Sequence, residues 1–340
     1  MFNSDNCSPA CAAIGRAVRL LGARHPALAG RLRDTLALVV DGIDSDKDRY
    51  QAWRFSQLNS NGTPVEFTFS TFSDEVRYAV EVGGPGLAHG RRLAAAGGLL
   101  RRLGAVQAGQ ASLDRLCALQ RPMAGALRWG AWLGVRHLAA RDEYKIYAEV
   151  AGPAWPPGLT ALMAQYVGPL PVLAGQRALQ LVAIGQVPGS PRMEFYFRIG
   201  GLGMGADDLL RLLEPWGLAG GHAAMWELLR SLPFRFGAAH GAGAPQITYG
   251  FSCSVLPGRR EAVGAVFAFA DQLIGSDALV CIRLAQIWQR HGWPISPYLE
   301  LAEPLVNSFL SADVHHNMIA VLLSADGRLG MHVTLSPPIH

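Results

Sequence analysis

With 340 residues, half of them hydrophobic and only 16% charged, the chain can bury a large core and reads as one globular domain over residues 1–340. A net charge of +4 with no Lys/Arg run interleaved with aromatics argues against a nucleic-acid partner. No apolar run reaches the roughly 20 residues that cross a bilayer and no basic-then-apolar leader opens the chain, so the expectation is a cytoplasmic protein with no membrane partner.

Residues 1–50 are expected to hold N-terminal helices, since Ile14, Val18, Leu21, Leu28, Leu32 and Leu36 recur at near-helical spacing over 9–40. The stretch 62–82, GTPVEFTFSTFSDEVRYAVEV, has another period. Val65, Phe67 and Phe69 alternate with Glu66, Thr68 and Ser70, and Val76, Tyr78 and Val80 alternate with Arg77, Ala79 and Glu81. Period-2 alternation means strands with unlike faces, and a turn at 71–75 would pair them antiparallel with Glu66 and Arg77 near one another. Residues 88–137 read as helix, broken at Gly97-Gly98 and Pro122. A strand at 144–150 ends at the Gly152-Pro153 turn, a helix lies near 158–168, and strands at 178–186 and 193–199 flank a Pro188-Gly189 turn. Helices over 206–230, a strand at 246–255, helices at 258–274 and 276–291, and a hairpin of 317–324 with 330–336 about Ala325-Asp326-Gly327 complete the chain. Hairpins across short turns demand antiparallel pairing, which argues against a parallel α/β sheet. The GGLGMG at 200–205 lacks the spacing of a dinucleotide loop.

Several strands put a charge and a tyrosine on one face: Lys145 with Tyr147, and Arg192, Glu194, Tyr196 and Arg198 in R-x-E-x-Y-x-R. Gln246 and Thr248 share a face of their strand, with Tyr249 on the other. Taken singly, each is the solvated face of a sheet. Together with the Glu66/Arg77 hairpin they suggest a barrel with a polar, working interior and helices outside. Cations pointing into an enclosure need anions to meet them, and a pyrophosphate can accept several charge-assisted bonds at once. Tyrosine faces among them would shelter a carbocation. Five scattered cysteines include an i,i+4 pair, Cys7 and Cys11, but no second pair follows at metal-ligand distance. Trp53, Trp129, Trp132, Trp216, Trp226, Trp288 and Trp293 fall mostly in helical segments and read as packing.

At these residues the chain resembles the dimethylallyltryptophan-synthase-type aromatic prenyltransferases, bacterial-type members of the ABBA superfamily. The matches are Gly62, Pro64 and Glu66 followed eleven residues after the glutamate by Arg77 of V-R-Y-x-x-E, then Lys145-x-Tyr147, then Arg192-x-Glu194-x-Tyr196 where the family has R-x-K-x-Y. The strand ending in a Pro-Gly turn (246–258) and the terminal hairpin ending in Ser336-Pro337 follow in order. The resemblance implies an α+β fold: ten antiparallel strands from repeated ααββ units, closed into a barrel ringed by helices. It implies transfer of a dimethylallyl or longer prenyl group from an isoprenoid diphosphate to an indole or tryptophan-derived acceptor by electrophilic aromatic substitution, in secondary metabolism. Glu66 would then draw the indole N–H proton. Arg77, Lys145, Tyr147, Arg192 and Tyr196 would hold the diphosphate, with the tyrosine rings shielding the cation.

Two departures follow. Glu194 replaces a cation, so either the phosphates sit differently or Glu194 holds a Mg²⁺ that bridges to them; the family's habit favours no metal. The last strand offers Gly330, His332 and Thr334 where a tyrosine is expected, which predicts a wider opening for a longer donor or bulkier acceptor. Arg198, Gln246, Thr248, Tyr249, His332 and Thr334 are carried as candidate lining residues. Alternatives are a prenyltransferase for phenols, tyrosine or peptides with a geranyl or farnesyl donor, and a non-catalytic ligand-binding barrel. A monomer or homodimer is expected.

Overall fold

The computed structural model describes residues 9–41, 43, 55–73, 75–105, 109–152, 155–233, 247–258, 261–305 and 315–337. Gln246, Cys7 and Trp53 lie outside them. Ten strands close one antiparallel barrel, each pairing with its chain neighbour and the last with the first. They are β1 (Val65–Ser70), β2 (Val76–Glu81), β3 (Ala131–His137), β4 (Asp142–Glu149), β5 (Leu179–Gln186), β6 (Met193–Ile199), β7 (Gly250–Val255), β8 (Val263–Phe269), β9 (His316–Ser324) and β10 (Leu329–Leu335). Helix α1 (Pro9–Arg24), α2 (Ala29–Asp41), α3 (His89–Arg102), α4 (Gln110–Gln120), α5 (Pro157–Tyr166), α6 (Ala206–Leu213), α7 (His222–Ser231), the single turn α8 (Ala270–Leu273), α9 (Asp277–His291) and α10 (Ser296–Leu305) fall between strand pairs or before the first.

Opposed residues on paired strands share a face, so the register carries one face right around the barrel. Glu66 lies opposite Ala79, Ala79 opposite Gly134 and Gly134 opposite Lys145. Tyr147 lies opposite Gly185, Gly185 opposite Glu194 and Glu194 opposite Ser254. This is the inner face. The alternate residues, such as Phe67, Val80, Leu133, Phe195, Phe251, Val321 and Val333, are fully buried outside it in a cluster shared with Leu36, Leu93, Leu159, Leu212 and Leu284 of the helices. Each such side chain contributes roughly 1.5–3 kcal/mol by leaving water. The annulus between barrel and helices therefore holds the fold, and the lumen is left free to be polar.

Two segments expected to be helical are strands. β3 carries Ala131, Leu133, Val135 and His137 outward and buried, with Trp132, Gly134 and Arg136 inward. Its alternation is short and directly follows a true helical stretch, so the helical pattern runs over it. In β8, VGAVFAF, the small residues Gly264, Ala265 and Ala268 leave almost no contrast between faces. Only Ala270–Leu273 of the helix expected over 258–274 forms. Trp132, read as helix packing, is a lumen residue, and α10 was not anticipated.

Candidate active site

Glu66, on the inner face of β1, is 5% exposed. Asn317 Nδ2 donates to its Oε2 at 2.5 Å, and the Thr334 hydroxyl of β10 bonds the same carboxyl. Burial raises the Glu66 pKa to about 7, and these two neutral partners only partly offset that rise. A carboxylic acid that shares its proton evenly near neutral pH is suited to accept one from a substrate.

Across β2 to β6 the inner face is dense with charge. Arg77 and Arg136 lie side by side, directly opposed in the β2–β3 register, and both bind Glu75. Arg77 Nη2 reaches Glu75 at 2.6 Å and Ser73 Oγ at 2.7 Å, while Arg136 Nη2 reaches Glu75 at 2.7 Å and its Nη1 reaches Glu143 at 3.3 Å. Burial acts to raise the Glu75 pKa, but bonds and charge from Arg136 and Arg77 prevail and lower it to about 2. Lys145 forms an ion pair with Glu194, and its Nζ donates to Tyr196 Oη at 3.0 Å. The same Nζ lies 4.8 Å and 5.4 Å from the ring centroids of Tyr147 and Tyr196, which are 5.7 Å apart. Burial disfavours both charges of the pair, yet each partner overrides that: Lys145 is held above the ordinary lysine value and Glu194 below the ordinary carboxylate value. Ser252 Oγ of β7 donates to Glu194 at 3.4 Å.

Two glycines make this arrangement possible. A Cβ at Gly185 would lie 2.6 Å from Lys145 Cε, and one at Gly134 would lie 2.9 Å from Tyr147 Cε2. Lys145 thus leans across β5 to Glu194 on β6, and the Tyr147 ring reaches over Gly134 of β3. The Lys145 and Glu194 side chains remain 23% and 21% exposed, so they face open space. His332, opposite Ser70 and Ala320, also faces inward. Burial, then the charges of Arg77, Lys145 and Arg136, press its pKa down to about 3, leaving a neutral imidazole at neutral pH.

The remaining sequence candidates are spread out. Arg192 stands just before β6 at the barrel end and binds Glu261, at 2.9 Å to the carbonyl and 3.1 Å to the carboxylate. Arg198 has inner-face register opposite Gly250 and is exposed at the other end of β6. Thr248 lies before β7, its N–H bonded to Gln272 Oε1 at 3.0 Å. Tyr249 is buried in the apolar core rather than in the lumen. At Gly330, where an open space was expected, the Phe72 ring fills the position: a Cβ there would meet Phe72 Cε1 at 2.2 Å. The barrel end is not widened at this point. As for metals, the Glu194 carboxylate is engaged by Lys145, and among the described residues no three or more His, Cys, Asp or Glu side chains gather to hold an ion.

Sequence reasoning missed Arg136, Trp132, Ser252 and Asn317. The first two were hidden by the helical reading of β3, although the Trp132-Gly134-Arg136 alternation is visible in retrospect. Asn317 carries no local signal.

No family model matches the chain, and no curated protein sequence matches it. Solved structures do. A 5-dimethylallyltryptophan synthase from Streptomyces coelicolor superposes with a TM-score of 0.76 at 17% identity, covering 98% of this chain and 99% of that one. A 6-dimethylallyltryptophan synthase from Micromonospora olivasterospora, solved with DMASPP and Trp, gives 0.73 at 16% identity over 98% and 100% of the two chains. AnaPT from Neosartorya fischeri gives 0.62 at 11% identity over 94% and 91%. At these identities the comparisons establish the fold: the chain has the barrel of the dimethylallyltryptophan synthases.

Proposed function

We propose that this protein is an aromatic prenyltransferase that moves a dimethylallyl group from its diphosphate to an indole or tryptophan-derived acceptor. The observation that carries this reading is one lumen holding a buried carboxyl poised near pH 7 on β1 and, opposite it, cations interleaved with tyrosine rings on β2 to β6. The C–O bond of the donor breaks, the electron pair leaves with the diphosphate, and the allylic cation is attacked by the acceptor ring. Glu66 takes the N–H proton as the ring attacks, raising the electron density of the nucleophile. The ring regains aromaticity when the newly alkylated carbon loses its proton to the departed diphosphate and Glu66 returns its own to the nitrogen. Arg77, Arg136 and Lys145 receive the diphosphate charge, with Arg192 at the rim, and Tyr147 and Tyr196 flank the cation. Fixed donors in an enclosed lumen need no reorganisation as charge separates, and exclusion of water protects the cation from hydrolysis.

In this reading the transfer needs no metal. The diphosphate draws Lys145 away from Glu194, and Glu194 is the group that opposes donor binding. That the Micromonospora synthase was solved with DMASPP and Trp supports the same donor and acceptor classes here. The enzyme is expected to act in the cytoplasm as a monomer or homodimer.

Incubation with tryptophan or indole and dimethylallyl diphosphate, with and without EDTA, tests the proposal by mass spectrometry. A prenylated acceptor formed equally in both supports a metal-independent transferase. Product only without EDTA overturns the metal-independent part. Absence of both product and donor binding overturns the function in favour of a non-catalytic barrel.

A further inference from the structure

Strands β9 and β10 are out of step by one residue near Glu66. Ile319 lies opposite Val333 and His316 opposite Leu335, so Asn317 and Met318 together face the single residue Thr334. This is a β-bulge, which re-aims a side chain that strict alternation would send elsewhere. Without it Asn317 would share the outward face of Ile319; with it, its amide enters beside Glu66. Thr334 is on the inner face, opposite Thr68, and its Oγ1 accepts the Met318 N–H at 2.9 Å, satisfying the amide that the bulge displaces.

The amide is fixed on all sides. Asn317 Nδ2 donates to Glu66 Oε2 and, at 3.0 Å, to the Leu58 carbonyl, while its Oδ1 accepts the Ser60 N–H at 3.0 Å. The bulge itself is held from behind by Asp277, the first residue of α9, which is fully buried. Its carboxylate accepts the backbone N–H of His315 at 2.8 Å and of His316 at 3.0 Å, and also bonds Nδ1 of both rings. His316 Nε2 in turn meets the Tyr298 hydroxyl. A buried anion with this many donors stays ionised and stationary.

We propose that Asn317 is a positioning residue for Glu66: the bulge delivers its amide to one carboxylate oxygen and sets the orientation in which the carboxyl meets the acceptor, and Asp277 locks the bulge in place. The proposal rests on the reading of Glu66 as the base. The charged or titratable inner-face groups nearest Glu66 are Arg77 and Glu81 of β2, on either side of Ala79, and His332 of β10. The β9 wall presents only the neutral Asn317 and Met318, and the segment before β1 the neutral Asn59 and Ser60. The amide is therefore a main neutral support of the ionised form.

The test follows the Glu66 carboxyl directly, through its protonated C=O infrared band assigned by difference against Glu66→Gln, with no substrate present. The wild-type band should titrate with a midpoint of about 7. In Asn317→Leu, which keeps the bulk and removes the donor, the midpoint should rise by about one unit, a tenfold change in proton affinity. The acidic limb of the kcat/KM profile should move by the same amount. A folded Asn317→Leu protein whose midpoint and limb stay at the wild-type values overturns the proposal, because a merely structural asparagine would lower the melting temperature alone. If the leucine variant does not fold cooperatively, Asn317→Ser is read the same way. A shifted infrared midpoint in a protein that transfers no prenyl group supports the positioning and overturns the proposed function instead.

Discussion

Glu66 and Glu194 face the same lumen from β1 and β6, strands that are five places apart in either direction around the barrel. Both are glutamates on alternating strands, and in both burial acts to raise the carboxyl pKa. Glu66 meets only neutral partners, so burial prevails and its proton is shared near neutrality. Glu194 meets an ammonium, so attraction prevails and it remains ionised. The environment, not the residue type, leaves one titrating near neutrality and holds the other in an ion pair. The charged wall is also balanced: Arg77, Arg136 and Lys145 stand against Glu75, Glu143 and Glu194. In the proposed reaction an arriving diphosphate would exchange partners with carboxylates rather than enter a field of unpaired cations.

The largest expected effect comes from removing the neutral-wall carboxyl. Glu66→Gln should lower the transfer rate by about 10²- to 10⁴-fold, the usual worth of a general base, with donor-analogue affinity by calorimetry within about twofold of wild type. Equal activity would erase the contrast between the two glutamates. The same variant has a stability signature with a definite sign. The folded-state pKa of Glu66 is raised, so the carboxyl costs stability increasingly as pH climbs from about 4.5 to about 7. Glu66→Gln should then melt higher than wild type at pH 8 and no higher at pH 4. Glu75, with its pKa lowered to about 2, acts in the opposite sense: its contribution is present above the ordinary carboxylate range and is lost as pH falls toward 2.

Next in size, Lys145→Ala should destabilise the protein by ~2 kcal/mol, since it strands Glu194 against the lumen wall, a cost reduced from the fully buried case by the residual exposure of the pair. Lys145→Ala/Glu194→Ala should recover most of that loss in denaturant titration; a double variant no more stable than the single one would break the pairing argument. Glu194→Gln should tighten inorganic diphosphate binding about tenfold, because Lys145 no longer has to be taken from a carboxylate. The chain has two lysines, Lys47 and Lys145, so acylation of Lys145 and its protection by diphosphate can be read from a single peptide mass. Smallest is Gly185→Ala, whose new methyl would press on Lys145 Cε; donor affinity should fall several-fold with the fold intact, measured by calorimetry and circular dichroism.

Much of the charged wall was legible because hairpin strands advertise themselves. Lys145, Tyr147, Glu194 and Tyr196 are two apart on strands whose other face is apolar, and that period survives in the sequence. The partnership of Lys145 with Glu194 was not legible, since it depends on Gly185 on a third strand leaving space between them. β8 was missed for a related reason, since small residues where the wall must be thin blunt the contrast between its faces, and β3 because the helical pattern before it runs over its short alternation. Asn317 could not have been assigned at all. Its alternation points it outward, and only a slip in register against β10 turns it in.

The pairing of β10 with β1 has a consequence for how the protein is made. His332 and Thr334 are among the last residues of the barrel, and Thr334 bonds Glu66, which lies near its beginning. During synthesis the Glu66 carboxyl therefore lacks this partner until β10 has been made. Until that moment both β1 and β9 expose unpaired edges of the kind that recruit other strands. A truncation that removes only β10 should yield an inactive, aggregating chain rather than a weakened enzyme.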